Sequence, residues 1–488
     1  MQKLIWLVLF NTICFTCYSQ FGNSWVTGYS GNRILFNGST ISTSIGLNPQ
    51  KYFTAGHSSI SDSLGNLLLY SNGFHIFNKV GGYLDKGDTL VPHYYFDIQS
   101  GSSFLSQTSI FLPMDSNIYY FITPTFSDLR YDDCHNNSGN CYFDLLLYNV
   151  IDMNANGGAG KVIKRMQPLM ENANLRKTQM MACKHGNGTD WWLLKNEGDN
   201  GDVHTFLVTK DSIYDKGLQS FANPTWGEWD IRGQSTFNSD GSMFATTSHG
   251  SSSGLIFIAD FDRCYGLLSN PRTIQMPSYS QHLPWDTTIM ERLSVGLSFS
   301  PNSQFLYVIS QCNVHQFDLF DNSWYHVSGL DTIPNKFQEY ETCYMGPDNK
   351  IYIGNFGGLS KQMSRIDNPD VKGAGCNFCP KCLRLDSLGS AAYVGTPPCM
   401  PNYNLGARAC WPLSNEQLII NNEQWELYPN PVNTILYIKH AKGKKKKLYN
   451  TYGQLLLSTT KEEIDISGLA KGLYFLSCEQ QTQKVLVE

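Results

Sequence analysis

Short apolar runs alternate with polar turn residues along most of the chain. In Gly296 to Tyr307, two such runs flank a Ser-Pro-Asn-Ser turn, and similar units occupy Ser235 to Ala245 and Glu341 to Tyr352. Runs of roughly four to eight residues bounded by Gly, Pro, Asn or Ser are typical of strands joined by tight turns. The pattern therefore predicts hairpins rather than helices.

The hairpins recur at intervals of roughly forty to sixty residues between Lys51 and Ile366, which is typical of propeller blades. A single blade cannot bury both faces of its sheet, so it packs against its neighbours. A further blade is expected to combine Ala392 to Asn402 with the N-terminal strand near Arg33 to Ile41, closing the ring. We predict an all-β fold: a β-propeller of six to eight blades, seven favoured, followed by a small C-terminal β-sandwich. A pair of β-sandwiches is the structural alternative.

Composition supports this interpretation and excludes one class of function. Only 16% of the 488 residues are charged, 13% are aromatic, and there are 42 glycines. The formal net charge of −5 supplies no basic face to neutralise phosphates, so a general nucleic-acid binder is not expected.

The first nineteen residues have the features of a signal peptide. Lys3 supplies a positive start, and Leu4 to Phe10 begin an apolar stretch. Cys17 to Ser19 then offer small residues at the cleavage positions. A retained anchor is the alternative, but Asn11 and Thr12 interrupt the apolar stretch. We expect the mature chain to begin at Gln20 and to contain no transmembrane segment.

The fourteen cysteines fit an oxidising compartment, which the predicted signal peptide also indicates. Cys134 and Cys141 bracket a short polar loop and form a candidate disulfide. The triplet Cys376, Cys379 and Cys382 has the spacing of metal ligands, but export favours disulfides. Cys399 and Cys410 are available partners for that triplet.

The composition changes near the C-terminus. We divide the chain into a signal peptide (1–19), a propeller (20–413), a polar linker (414–424) and a small C-terminal domain (425–488). The last part contains alternating strands separated by glycine turns.

This ending resembles the type A C-terminal sorting domain of the type IX secretion system of Bacteroidetes. The matching residues are Tyr428, Pro429, Asn430, Pro431, Gly453, Gly472 and Tyr474. The resemblance implies that the secretion machinery binds the tail and delivers the body, by way of the periplasm, as a secreted or surface-attached protein. The run Lys444 to Lys447 departs from the family pattern and is interpreted as a solvated turn.

The body resembles the propeller-like regions that precede such tails in gliding and surface proteins of that phylum. The resembling segments include Ile60 to Gly73 and Val150 to Gly160. The resemblance implies a fold and a location but no biochemical activity.

One aromatic and charged segment is a candidate glycan-binding site. Aromatic rings stack on sugar faces and carboxylates accept hydrogen bonds from sugar hydroxyls. The alternative is an aromatic loop packed on its own blade. The candidate residues are Trp226, Glu228, Trp229, Asp230 and Arg232.

A second candidate site begins like a calcium loop, with Asp152, Asn154 and Asn156 at alternate positions. The position of the closing glutamate is occupied by Ile163, so a tight hairpin turn is the favoured interpretation. No metal and no cofactor is predicted.

Five Asp-Ser/Thr-aliphatic triplets resemble the O-glycosylation acceptor pattern of exported Bacteroidetes proteins. Asp-Ser pairs also occur in turns because their side chains bond nearby backbone groups. The candidate acceptors are Ser63, Thr89, Ser212, Thr332 and Ser387.

The chain has neither a strand-to-helix Ser elbow nor a His-Glu-x-x-His motif. We therefore expect a secreted or cell-surface binding protein that recognises a glycan or a protein, in adhesion or gliding. The alternative is an extracellular hydrolase or lyase that uses the axial funnel of the propeller, and a third possibility is a passive surface-layer component. Binding is favoured over catalysis.

Overall fold

The structure is a computed structural model. It describes residues 20–46, 51–92, 103–137, 141–198, 201–221, 232–248, 254–277, 294–310, 313–328, 340–355, 360–385, 388–389, 392–410, 425–451, 454–478 and 481–488. The chain divides into two compact units at Arg408, referred to below as the body and the tail. Within the described residues, no helix is long and apolar enough to cross a membrane.

The described part of the body contains seven antiparallel sheets. Sheet 1 comprises β1 (Ser24–Tyr29), β2 (Asn32–Asn37), β3 (Thr40–Ser44) and β4 (Tyr52–Phe53); sheet 2 comprises β5 (Ser58–Ser61), β6 (Leu67–Ser71) and β7 (Ile76–Asn78); sheet 3 comprises β8 (Ile110–Pro113), β9 (Ile118–Thr125), β10 (Leu145–Asp152) and β11 (Lys161–Met170). Sheet 4 comprises β12 (Leu175–Lys184), β13 (Trp191–Glu197), β14 (Asp202–Val208) and β15 (Ile213–Gln219); sheet 5 comprises β16 (Gly233–Phe237), β17 (Met243–Ser248), β18 (Leu255–Asp262) and β19 (Leu267–Gln275). Sheet 6 comprises β20 (Ser294–Phe299), β21 (Phe305–Ser310), β22 (Val314–Asp318) and β23 (Ser323–Ser328); sheet 7 comprises β24 (Tyr340–Met345), β25 (Ile351–Asn355), β26 (Gln362–Ile366) and β27 (Phe378–Arg384). One helix, α1 (Asp128–Asn137), lies between β9 and β10, and 3-10 turns occur at Asn156–Gly158 and Gly373–Cys376.

Apolar clusters between consecutive sheets close the ring. Sheets 4 and 5 share one cluster, sheets 5 and 6 a second, and sheets 6 and 7 a third. The last sheet packs on the first, where Trp25 and Tyr352 meet edge to face with ring centroids 5.1 Å apart. Because each cluster is shared by neighbouring blades, the predicted β-propeller is confirmed, with seven sheets in the described residues.

Sheet 1 differs from the expected closing blade. It is built from residues 24–53, whereas Ala392 to Asn402 pack against it without adding a strand. Asn32 donates a side-chain hydrogen bond to the Tyr393 carbonyl at 2.9 Å. Pro397 and Pro398 have no N–H to donate to a strand ladder, which explains why this segment does not pair.

The first strands of the blades are buried although many of their side chains are polar. The first strands of several neighbouring blades contact each other, and side-chain amides connect them. Gln234 on β16 donates to the Cys343 carbonyl at 2.6 Å and accepts from the N–H groups of Cys343 (3.1 Å) and Leu297 (3.2 Å). One amide thus joins the first strands of sheets 5, 6 and 7, and it satisfies buried backbone groups that would otherwise be costly.

The tail is a separate small β-domain with two sheets, which confirms the predicted C-terminal domain. One sheet comprises β28 (Glu426–Tyr428), β29 (Ile435–Lys439) and β32 (Glu463–Asp465); the other comprises β30 (Lys446–Tyr449), β31 (Leu455–Thr459), β33 (Gly472–Cys478) and β34 (Gln481–Val487). Its core includes Trp425, Leu436, Leu448, Leu476 and Val485.

Candidate functional site

A broad cleft opens at the end of the body where the first hairpin turns of several blades converge. Its volume is about 1620 Å³, and turns from sheets 5, 6 and 7 contribute to its lining. In the sheet 5 turn, the Asn238 side chain accepts a hydrogen bond from the Met243 N–H at 2.9 Å, and Gly241 adopts a φ of 73°. We call this feature the hairpin cleft; its lining includes Leu64, Lys184, Phe237, Asp240, Arg263, Pro301, Met345, Pro347, Asn349 and Tyr403.

The lip of the hairpin cleft presents apolar and weakly polar side chains, and the exposed Asp240 adds one carboxylate. Leu64 is 77% exposed, and Pro347 and Asn349 are also exposed. Met345 is half-buried beside them. The flexible methionine side chain adapts to irregular apolar partners, and the leucine and proline add apolar area, so this lip suits a protein ligand.

Most aromatic rings of the cleft lie beneath its surface. Phe36 and Phe299 are each 1% exposed, Tyr403 is 4% exposed and Tyr344 is 7% exposed. Among the described aromatic lining residues, Phe237 alone is half-buried rather than buried. A sugar ring needs an open aromatic face for stacking, and these rings offer little of one.

A segment of the chain itself, Met400 to Arg408, crosses the hairpin cleft. Arg263 donates to the Gly406 carbonyl at 2.7 Å, and Lys184 donates to the Tyr403 carbonyl at 3.4 Å. At the far end, the Arg408 N–H donates to the carbonyl of Gly186 at 2.8 Å. Protein groups of the cleft therefore hold an irregular segment, with a turn at Tyr403 and Asn404, through its backbone.

Two cations converge on this segment. Arg263 is 5% exposed, and it also donates to the carbonyls of Lys184 (2.8 Å) and Asp240 (3.3 Å), which fixes its position. Lys184 lies over the Trp191 ring at 5.1 Å. Burial and the neighbouring Arg263 lower the pKa of Lys184.

Among the described residues that line the cleft, Asp240 is the single carboxylate. Burial alone would raise its pKa, but hydrogen bonds from Ser242 and Asn238 outweigh that effect and lower the pKa. General acid–base hydrolysis generally uses two groups with separated pKa values. The described lining of the cleft supplies one carboxylate and two cations, an arrangement suited to binding.

The segment predicted to bind glycans falls mainly outside the described residues. Trp226, Glu228, Trp229 and Asp230 lie there, between β15 and β16 in the chain. Arg232 is described and is 6% exposed directly before β16. This candidate site stays a prediction.

The calcium-like sequence forms the connection between β10 and β11. Asp152 ends β10, and its carboxylate accepts a hydrogen bond from the Asn154 N–H at 2.8 Å. Asn156 begins a 3-10 turn with a φ of 54°. No cluster of three or more His, Cys, Asp or Glu side chains suited to a metal occurs in the part of the chain that the structure describes.

The structure contains the Cys134–Cys141 disulfide, which links α1 to the residues after it. In the cysteine triplet, Cys379 and Cys382 are joined to each other. Of the other candidates, Cys410 is disulfide-bonded outside the triplet, whereas Cys376 and Cys399 are free. Both are buried.

Two residues of the sorting motif have clear structural roles. The Asn430 side chain donates to the Lys484 carbonyl at 2.7 Å and accepts from the Leu486 N–H at 2.8 Å, so it binds β34 on both sides. Tyr474 donates its hydroxyl to the Ala470 carbonyl at 2.7 Å. Tyr428 ends β28, Pro429 and Pro431 flank Asn430, Gly472 begins β33, and Gly453 lies outside the described residues.

One interpretation of the tail was wrong. The run Lys444 to Lys447 is not a uniformly solvated turn, because Lys446 is completely buried. Its ammonium group donates to the carbonyls of Ala441 (2.6 Å), Thr460 (3.1 Å) and Lys444 (3.2 Å). Alternation along β30 places this lysine on the inner face, between the more exposed Lys445 and Lys447.

The comparisons with known proteins concern the two units separately. Residues 426–488 match the family described as the secretion system C-terminal sorting domain. No curated protein has a sequence that matches this chain.

Solved structures resemble the fold at low sequence identity. A putative 6-phosphogluconolactonase from Bacteroides uniformis is 14% identical, with 79% of this chain and 90% of that chain covered and a TM-score of 0.33. The periplasmic gluconolactonase of Pseudomonas aeruginosa is 12% identical, with 79% and 90% covered and a TM-score of 0.35. The extracellular domain of a putative one component system from B. thetaiotaomicron is 10% identical, and this chain spans 57% of its length, with 96% of this chain covered and a TM-score of 0.35. These values carry no argument about activity.

The fold and the sorting domain together define an exported all-β protein with a propeller body. The chain is a cargo of the type IX secretion system, and it is secreted or attached to the outer cell surface.

Proposed function

We propose that the body is a binding module outside the cell, and that its hairpin cleft receives a segment of another protein. The observation that carries this proposal is the segment Met400 to Arg408, which the cleft holds through hydrogen bonds to backbone carbonyls. Adhesion or gliding is the setting expected for such a module.

The lip supports a protein ligand over a glycan. Leu64, Met345 and Pro347 offer apolar contacts, and the exposed Asn349 offers an amide that can donate to and accept from a peptide backbone. Burial of one leucine side chain stabilises a complex by roughly 1.5–3 kcal/mol, which corresponds to a tenfold or greater change in affinity. The lip alone is therefore sufficient for measurable discrimination.

The catalytic alternative needs two titratable groups that act on a substrate, whereas Lys184 donates to the Tyr403 carbonyl and Asp240 accepts from the Ser242 N–H. A hydrolase or lyase in the axial funnel would place an acid and a base about a substrate. No observation on the described residues favours that alternative over binding.

The test is a screen of the mature chain, from Gln20 to Glu488, against a random peptide library and a glycan array. For peptides that bind, Leu64→Asp and Pro347→Asp are expected to weaken binding by about tenfold or more, because each places a carboxylate on the apolar lip. Leu218→Asp is the matched control, since Leu218 is 46% exposed on β15 and does not line the cleft.

Two results would contradict the proposal. One is that the chain binds glycans on the array but binds no peptide from the library. The other is peptide binding that the two lip variants leave unchanged.

A further inference from the structure

The outer face of the four-stranded sheet of the tail carries exposed apolar side chains on three strands and the half-buried Tyr449 on the fourth. Leu473 on β33 is 39% exposed, and its strand partner Leu486 on β34 is 42% exposed. On the other side, Leu455 on β31 is 52% exposed. A small domain normally turns such residues inward, so their position outside needs a reason.

The pairing register places these residues on one face, in two adjacent cross-strand lines. A register shift lies between Leu448 and Tyr449, where β30 pairs with β31. Phe475 is opposite Tyr449, and Tyr449 is opposite Leu455. Residues paired across antiparallel strands project from the same face, and so do residues two apart on one strand. We call this set the apolar row; it comprises Leu455, Tyr449, Phe475, Leu473 and Leu486.

The charges at the paired positions that border the apolar row are positive, whereas Glu488 is exposed two residues beyond Leu486. Lys484 is paired with Phe475, and Lys447 is paired with Ser477 and Ser458 on the same face. Among the described paired positions of this face there is no carboxylate, and Glu488 follows the end of β34. A complementary surface would therefore be apolar at its centre with carboxylates at one border.

We propose that the apolar row is the surface by which the tail docks on a protein component of the export machinery, and that this component presents an apolar patch bordered by carboxylates. The row crosses four strands spaced about 4.8 Å apart, so it is roughly 15 Å wide. An apolar centre with a polar rim is the usual organisation of a protein–protein contact. This surface lies in the tail, so the proposal is independent of the ligand of the hairpin cleft.

The opposite sheet of the tail provides a matched control. Ile435 on β29 is 38% exposed, close to the exposure of Leu473, but it belongs to the three-stranded sheet. A substitution there changes exposed apolar area without touching the apolar row.

The experiment expresses the full chain in the exporting cells with Leu473→Ser combined with Leu486→Ser, or with Lys447→Glu combined with Lys484→Glu. Both double variants are expected to lower the amount of protein at the surface by about tenfold or more, with full-length protein accumulating in the periplasm. Ile435→Ser is expected to be exported like the unchanged chain. Thermal unfolding of each purified protein shows whether a variant has lost stability. If the serine variants have, the export of the charge variants is used to test the docking surface.

Three outcomes would overturn the proposal. The first is normal export of both double variants. The second is equal loss of export in Ile435→Ser. The third is binding of the unchanged chain to phosphatidylglycerol vesicles that the double variants lose in parallel with export, because the surface would then recognise lipid.

Discussion

The body and the tail bury polar groups in different ways. In the body, the side-chain amide of Gln234 bonds backbone groups of two other blades, which are 63 and 109 residues away in the chain. In the tail, Lys446 bonds three carbonyls that lie at most 14 residues away. The body therefore depends on ring closure to satisfy these buried groups, whereas Lys446 is satisfied by carbonyls near it in the chain.

The tail is easier to recognise because its motif residues lie in one small domain, although Asn430 bonds residues 54 and 56 positions away. The motif residues Asn430 and Tyr474 act within one small domain, and the spacing that the fold requires appears directly in the sequence. The contacts of the body join distant residues, so its function leaves no compact motif.

The largest expected effect concerns acid, and it separates the two units. Burial lowers the pKa of three body histidines, His57, His75 and His315, to about 4. Lys51 adds to the effect at His75, where Asp88 opposes it, and His326 adds to it at His315. The tail has one histidine after residue 425, the exposed His440.

The sign follows from the folded and unfolded pKa values. An unfolded histidine has a pKa of about 6.5, so the stability gained by keeping these side chains neutral is present above that pH. It is lost as the pH falls towards 4, at a cost of about 3 kcal/mol per histidine. The body is expected to lose stability between pH 6.5 and 4 much faster than the tail. Pulse proteolysis in urea, with body and tail fragments identified by mass spectrometry, measures both.

His315→Gln provides the control for that prediction. This substitution is expected to reduce the loss of body stability between pH 6.5 and 4 by about 3 kcal/mol, the contribution of one histidine. The reduction is expected whatever the substitution does to stability at neutral pH. His204 contributes with the opposite sign: burial lowers its pKa, but Glu197 and Asp215 outweigh burial and raise it. Its stabilisation is complete below pH 6.5 and is lost as the pH rises through the folded pKa. Equal loss of stability in body and tail between pH 6.5 and 4 would contradict the attribution of acid sensitivity to the buried histidines of the body.

The sequence predicted what depends on local pattern. Hairpin turns such as Asn238 to Ser242 follow from the turn residues, and recurrence of the hairpins indicated the propeller. The prediction that Ala392 to Asn402 contribute a strand to the closing blade was wrong, because Pro397 and Pro398 lack the N–H groups that strand pairing requires. The hairpin cleft could not be predicted, since Arg263 and Gly406 are 143 residues apart. No periodicity indicates a contact at that separation.

The second prediction affects the tail and spares the body. Lys446→Met removes three hydrogen bonds from a buried ammonium group to backbone carbonyls and is expected to destabilise the tail by about 3 kcal/mol. A domain of this size has a free energy of unfolding of about 3–9 kcal/mol, so much of its stability would be lost. Lys445→Met is the control, because Lys445 is exposed and its loss is expected to change stability by less than about 0.5 kcal/mol. The same proteolysis measurement is used. Equal effects of the two substitutions, or a comparable loss in the body, would show that Lys446 does not hold the tail together.

The smallest effect on stability is expected from glycosylation, whose candidate acceptors all lie before the tail. Ser63 and Ser212 are exposed in turns, where an enzyme can reach the hydroxyl. Thr89 is half-buried, and its N–H donates to His75 at 2.8 Å, so reaching it requires local opening. Thr332 and Ser387 lie outside the described residues.

If the body folds before it is modified, Ser63 and Ser212 are expected to carry glycans and Thr89 to remain bare. Peptide mass spectrometry of the exported chain measures each site separately. Ser63→Ala and Ser212→Ala should abolish the added mass at their own peptides while changing the stability of the body by less than about 0.5 kcal/mol, because neither side chain is buried. Modification of Thr89 to the same extent as Ser63 would mean that the glycan is added before the body folds. In that case the sequence pattern alone, and not exposure in the folded body, would determine which acceptors are glycosylated.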